Sequence, residues 1–206
     1  MTTSAKTTEI GLRRPPRQAR SRARVDAAIN ALVELVGEGR GADLTTTDVA
    51  ERAGIPIGSL YEYFEDLPSI VDAAVARMLD RHDEIVGERI AEPLADRHEF
   101  VDIMFDAYLQ LYSEQPAFIA LRNSQLWTPE HRGWLTSRVE VYLGRLAASA
   151  GLGDALAGDD RPTGQLSLLF AVGDAMLQRI FRDGPAGDAQ LTDTSRTTLK
   201  FMIDAL

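Results

Sequence analysis

Between Thr45 and Phe64 the chain reads TTTDVAERAGIPIGSLYEYF, a stretch rich in side chains that can touch a phosphate or the edge of a base. Hydroxyls at Thr45, Thr47, Ser59, Tyr61 and Tyr63 donate or accept hydrogen bonds. Ile57 offers an apolar tip, and Gly58 leaves the backbone uncovered. That is the chemistry of recognition, not of bond breaking. The remaining reactive residue types point the same way. No phosphate-binding glycine loop, nucleophile elbow or pair of metal ligands at helical spacing occurs. His82, His98 and His131 stand among charged neighbours, as in RHDE and DRHE, and read as solvated helix faces. Asp159-Asp160 sits in a glycine-rich stretch and reads as a turn. With no cysteine among 206 residues, disulfides and cysteine-ligated clusters are excluded. The expectation is a non-enzyme with no catalytic residue, no metal site and no cofactor.

Charge first argues against an anionic partner. Formal net charge is −9, and residues 25–67 hold only Arg40 and Arg52 against nine acids, Glu62 among them. The cations lie upstream. Lys6, Arg13, Arg14, Arg17, Arg20, Arg22 and Arg24 stand against Glu9 alone, while the other 182 residues carry 15 cationic and 30 anionic side chains. Such asymmetry marks either a basic arm that binds phosphate or a solubilising tail. If the arm is the answer, Arg17, Arg20 and Arg22 supply the attraction that the Glu62 region lacks. Glu62 itself then faces solvent or Arg52.

The elements that must position these groups are helical. Residues 1–17 lack apolar periodicity and read as a flexible basic arm. From residue 18 to 36, Val25, Ala28, Ile29, Leu32, Leu35 and Val36 recur at helical spacing, and Gly37, Gly39 and Gly41 end the run. Thr45 or Thr46 caps a second helix that Gly54 stops, and a third spans about 57–64. Longer helices follow at about 68–90, 97–114, 117–127, 129–150, 163–182 and 188–205. The fold expected is all-α with about nine helices. No apolar run approaches the ~18–20 residues of a membrane span, so a cytoplasmic protein without membrane contact is expected. Small Ala50, the turn at Gly54, and inward Val49, Ala53, Ile55, Leu60 and Tyr63 or Phe64 suit two short helices crossing steeply, a helix-turn-helix.

The wider string resembles the TetR family of transcriptional regulators, whose signature runs T-x-x-x-(I/V)-A-x-x-A-G-(V/I)-x-x-G-x-(L/I)-Y-x-(Y/H)-F. Thr45, Val49, Ala50, Ala53, Gly54, Ile55, Gly58, Leu60, Tyr61, Tyr63 and Phe64 occupy the matching places. RQARSRARVDAAINALVELVGEG is similar to the family's first helix, so the likeness covers about residues 18–67 at motif level and the rest in architecture only. The resemblance implies a DNA-binding domain over 18–67, with Thr47, Ile57, Gly58, Ser59 and Tyr61 towards the major groove and Tyr61 and Tyr63 near phosphates. Tyr63 packing into the small domain's core stays open as the alternative. One position departs: where most members carry a lysine three residues after the motif, this chain has Leu67. That removes a phosphate anchor and shifts electrostatic work to the arm.

The resemblance further implies that 68–206 binds an effector and dimerises through the last two helices. The first of these is apolar on more than one face, which suits a helix covered from both sides. Leu169, Gly173, Met176, Leu177, Ile180, Leu199 and Met202 are the expected interface. Phe105, Tyr108, Tyr112, Asn123, Trp127, Tyr142 and Phe170 are the expected lining of a largely apolar pocket. The functional expectation is a homodimeric repressor on a palindromic double-stranded operator, released by a small apolar effector. An all-α dimeric interaction protein that has lost DNA binding is the alternative.

Overall fold

The computed structural model of the chain describes residues 10–41, 43–89, 95–137, 161–182, 184 and 186–205, with backbone alone over 161–167. Among these, nine helices and no strand are found: α1 Ala19–Gly37, α2 Thr46–Ala53, α3 Ile57–Tyr61, α4 Leu67–Arg89, α5 Arg97–Glu114, α6 Pro116–Arg122, α7 over 129–137, α8 Arg161–Ile180 and α9 Ala189–Asp204. The expected helix over 129–150 continues into residues outside the described set. No described helix is long and apolar enough to cross a membrane. The chain forms two compact units, residues 1–81 with 117–131 and residues 82–116 with 132–206.

In the first unit, the helical stripe of α1 is buried as its spacing predicts: Val25, Ala28, Ile29, Leu32, Leu35 and Val36 are each at most 6% exposed. Against it lie Val49 and Ala50 of α2 and Leu60 of α3, exposed by 0%, 3% and 1%. Residues 117–131 complete this unit. Phe118, Leu121 and Trp127 are buried there. His131, 2% exposed, accepts a hydrogen bond at Nδ1 from the Thr128 N–H (3.0 Å), so its Nε2–H donates to the Asp72 carboxylate (2.8 Å).

The start of α2 is a reciprocal cap. The Thr45 hydroxyl accepts from the Asp48 N–H (3.2 Å), and the Asp48 carboxylate accepts from the Thr45 N–H (2.9 Å) and hydroxyl (2.5 Å). The Thr45 hydroxyl, then the Arg40 guanidinium (3.0 Å) and the Thr45 N–H, hold the Asp48 carboxyl down at about 2 from an ordinary 3.8. A depressed folded-state value means that the unfolded chain takes up this proton first as pH falls. The cap's contribution is therefore full above about pH 4 and lost as pH drops through 2. Asp48→Asn is expected to unfold at lower temperature than the parent at pH 7, with the gap narrowing steadily from about pH 4 to about pH 2; thermal melts across that range check it.

In the second unit, Asp96 caps α5 by accepting from the N–H groups of His98 (2.8 Å) and Glu99 (2.9 Å). Arg196 and Lys200 of α9 reach α5: Arg196 donates to Asp102 (2.9 Å) and Asp106 (2.5 Å), and Lys200 to Asp102 (2.6 Å). Phe100, Met104, Tyr108 and Leu111 of α5 face the interior with Leu169, Leu177, Leu199 and Ile203.

This packing bears on two expectations. Of the residues assigned to a subunit interface, Leu169, Leu177, Ile180 and Leu199 are turned into the unit's own core, at 7%, 3%, 3% and 5% exposed. Gly173 faces Leu199, where a Cβ would make an ordinary contact 3.6 Å from its methyls, so this position belongs to α8–α9 packing within the chain. Met176 and Met202 are half-buried. The outward apolar residues are their neighbours Leu168 (60% exposed) and Phe201 (76%). A helix apolar on more than one face does not reveal by period which face is inward, and a one-residue step turns it by about 100°. The histidines also differ from expectation. His82 is fully buried, its ring 4.4 Å from that of Tyr108, because position 82 falls on the inward stripe Met78, Leu79, Ile85 and Val86 of α4. Only His98 is partly open, 2.9 Å from Asp204.

Candidate nucleic-acid interface

Gly54 makes the turn between α2 and α3. Its φ of 64° lies in the left-handed region, and its N–H and that of Ile55 close on Glu51 O and Ala50 O, both at 3.1 Å. Leu60 and Phe64, each 1% exposed, pin α3 to the core. That anchoring turns Ile57 (39% exposed) and Tyr61 (43%) outward, two of only four large hydrophobic side chains exposed among the described residues. Thr47 and Gly58 are exposed beside them and Ser59 is half-buried. A Cβ added to Gly58 would meet nothing within 4 Å, so the chain itself makes no demand for glycine there. The free space lies on the outer side, where a partner would approach.

Thr45 and Tyr63 are used differently from the rest of the predicted set. The Thr45 hydroxyl is committed to the α2 cap. Tyr63 is 6% exposed, with the Arg14 guanidinium 5.1 Å from its ring centre, so its aromatic body belongs to the core. A residue outside the predicted set enters instead. The Thr46 hydroxyl lies 2.9 Å from the Tyr61 hydroxyl and fixes where that phenol points. The signal was present, since Thr46 and Tyr61 fall on helices that the Gly54 turn folds together, but spacing alone does not pair them.

The cations come from the N-terminal segment and the first turns of α1. Arg17, Arg20 and Arg22 are exposed at the start of α1, and Arg22 donates to the Arg17 carbonyl at 3.3 Å. Residues 10–14 are seated on the unit: the Arg13 N–H donates to Tyr63 O (2.8 Å) and Arg14 pairs with Glu62 (2.6 Å). A crevice of about 410 Å³ opens between Arg14, Arg17, Gln18, Ser21 and Tyr63. Glu62 thus meets Arg14, not Arg52. The Arg52 fork is taken by both oxygens of Glu38 at 2.8 Å, and that contact lowers the Glu38 carboxyl below its usual range. Arg40 and Arg52, the body's own cations, are both engaged by local acids.

The expected pocket is assembled in part. Phe105, Tyr108 and Phe170 line an apolar cavity of about 50 Å³ with Phe100, Met104 and Leu177. Tyr112 is buried behind it and donates to Asp174 at 3.3 Å; the Gln178 amide also donates to that carboxylate, at 2.9 Å. Asn123 is exposed and Trp127 buried in the first unit, neither among the lining residues, and Tyr142 lies outside the described residues. An aromatic residue at helical spacing is selected as readily by a core as by a ligand, which is why the predicted set divides.

No family model and no curated protein matches the sequence. Solved structures do. The chain is similar to a TetR-family transcriptional regulator from Streptomyces coelicolor, at 26% identity and TM-score 0.69, over 88% of this chain and 98% of that one. A TetR family transcription regulator from Marinobacter aquaeolei shares the fold at 17% identity and TM-score 0.64, over 89% and 96%. So does the fatty acid degradation regulator FadR from Bacillus halodurans, at 14% identity and TM-score 0.63, over 93% and 98%. A chain that sets this motif on these three helices, and matches such regulators along nearly their whole length, is similar to the TetR-family transcriptional regulators in motif and in fold.

Proposed function

We propose that the protein is a homodimeric repressor that binds a palindromic operator through α2 and α3, with residues 18–67 as the DNA-binding domain, and is released when a small apolar effector enters the part spanning 68–206. The observation that carries the DNA-binding surface is the outward placement of Ile57 and Tyr61 on an α3 anchored by Leu60, with open space at Gly58, in a unit that also exposes Arg17, Arg20 and Arg22. Ile57 is placed for a thymine methyl, Thr47 and Ser59 for base edges or phosphates, and Tyr61 for a phosphate. With Arg40 and Arg52 committed to acids, attraction to the duplex falls to the arginines of the arm and of the start of α1.

Pairing through α8 and α9 is supported by exposed Leu168, Ala171 and Ala175 at helical spacing on α8, where the alanines permit close helix approach, and by exposed Phe201 on α9. The effector reading is bounded by volume. A cavity of about 50 Å³ has room for only a few water molecules, whereas ligand sites are of order 300–1,000 Å³. An effector must therefore displace side chains such as Phe105 or Phe170 as it enters, which ties its binding to a shape change in that unit.

Selection of duplexes from a random pool by the purified protein tests the reading, followed by a screen for apolar compounds that release the enriched duplex. Recovery of a two-fold symmetric sequence and its release by at least one compound is the expected result; no enriched sequence would refute it. Within that assay, Tyr61→Phe is expected to weaken binding about three- to tenfold, the range of one hydrogen bond. Its melting temperature should stay near the parent's, because the phenol is exposed.

A further inference from the structure

An acid on a DNA-facing element calls for an explanation, and the contacts of residues 10–14 supply one. Gly11 lies so close to α4 that a Cβ there would sit 2.1 Å from Ser69 O and 2.9 Å from Ala73 N, and its φ is +77°. Two residues on, the Arg13 N–H donates to Tyr63 O at 2.8 Å. Arg14 then places its guanidinium over the Tyr63 ring and against the Glu62 carboxylate at 2.6 Å. Three attachments of different kinds, steric, backbone and ionic, tie this segment to α4 and to the residues just after α3.

We propose that Gly11 and Glu62 are positioning residues that dock residues 10–14 on the reading element before DNA is met, so that the arm starts from a fixed point. Glu62 contributes by holding Arg14, not by touching a base. Fixing the arm in advance reduces the ordering cost on binding and directs the following cations, Arg17 among them, to one path along the duplex. The inference rests on the DNA-binding reading above. It also makes a prediction opposite in sign to bulk electrostatics, by which removal of any acid from this face strengthens binding to every duplex.

The test uses the full chain with Glu62→Gln and Gly11→Ala. Without DNA, hydrogen exchange of the Arg13 amide is expected to accelerate about threefold in Glu62→Gln, as befits an ion pair whose side chains are 58% and 47% exposed. In Gly11→Ala the acceleration should be about tenfold or more, because a side chain must adopt a left-handed conformation against backbone. The double exchange Arg14→Glu with Glu62→Arg should restore protection. On DNA, Glu62→Gln is expected to bind the duplex enriched by the parent about threefold more weakly while keeping its full affinity for random duplex. Unchanged Arg13 exchange in both variants, or tighter binding of Glu62→Gln to both duplexes, overturns the proposal. If the parent enriches no sequence, it is the regulator reading that falls, and the exchange measurement still decides the docking.

Discussion

Glutamate at both Leu168 and Phe201 is expected to leave the protein monomeric at micromolar concentration and to weaken operator binding about a hundredfold or more. The reasoning starts from exposure. Leu168 and Phe201 are 60% and 76% open, so charged replacements disturb little within the unit and the melting temperature of the isolated chain should change only slightly. Across a two-fold interface each substitution is met twice, and four buried carboxylates without partners cannot be accommodated. In the proposed dimer a palindromic operator would be gripped by two reading helices about 34 Å apart, and losing the second turns a linked event into two independent ones, worth roughly 10²–10⁴ in affinity. Light scattering after gel filtration and a binding isotherm on the enriched duplex check both halves. A variant that remains dimeric places the interface elsewhere.

Removing residues 1–17 is expected to weaken DNA binding about ten- to a hundredfold near 0.1 M salt and to flatten its salt dependence. The deletion takes Lys6, Arg13, Arg14 and Arg17 but spares Arg20, Arg22 and Arg24 at the start of α1. Every phosphate that the shortened chain leaves unneutralised should lower the slope of log affinity against log salt by about 0.9. The structure sharpens the expectation, since Arg40 forms bonds with Asp48 and Asp43 and Arg52 with Glu38 and Glu34, leaving neither in place to compensate. Titrations at several salt concentrations give slope and affinity together; an unchanged slope refutes this account of where the cations act.

The helix-turn-helix was legible because its requirements are local and steric. Only a small residue at Ala50, a left-handed turn at Gly54 and apolar anchors at Leu60 and Phe64 let two short helices cross, and all four are found in those roles. The cap at Thr45 was equally plain. What periodicity could not resolve was orientation around a helix apolar on several sides: Leu169 and Leu168 look alike in sequence and face opposite environments. Partners distant in sequence were illegible for another reason. Glu62 has Arg52 ten residues away and Arg14 forty-eight away, and only the fold shows that Arg52 is already held by Glu38 while Arg14 is delivered by the chain crossing at Gly11. The aromatic set failed as a single pocket because Phe105 and Trp127 belong to different compact units.

The hydrogen bonds of His131 have a practical corollary for anyone dissecting the molecule. The unit that bears the reading helices is discontinuous in sequence, since its floor includes Phe118, Leu121 and Trp127, and His131 ties that floor to Asp72. A fragment cut at residue 81, or a chimera that grafts only the first 67 residues onto a foreign sensor, leaves those surfaces bare and forfeits the imidazole clasp. Portable use of this helix-turn-helix unit requires residues 117–131 to travel with it.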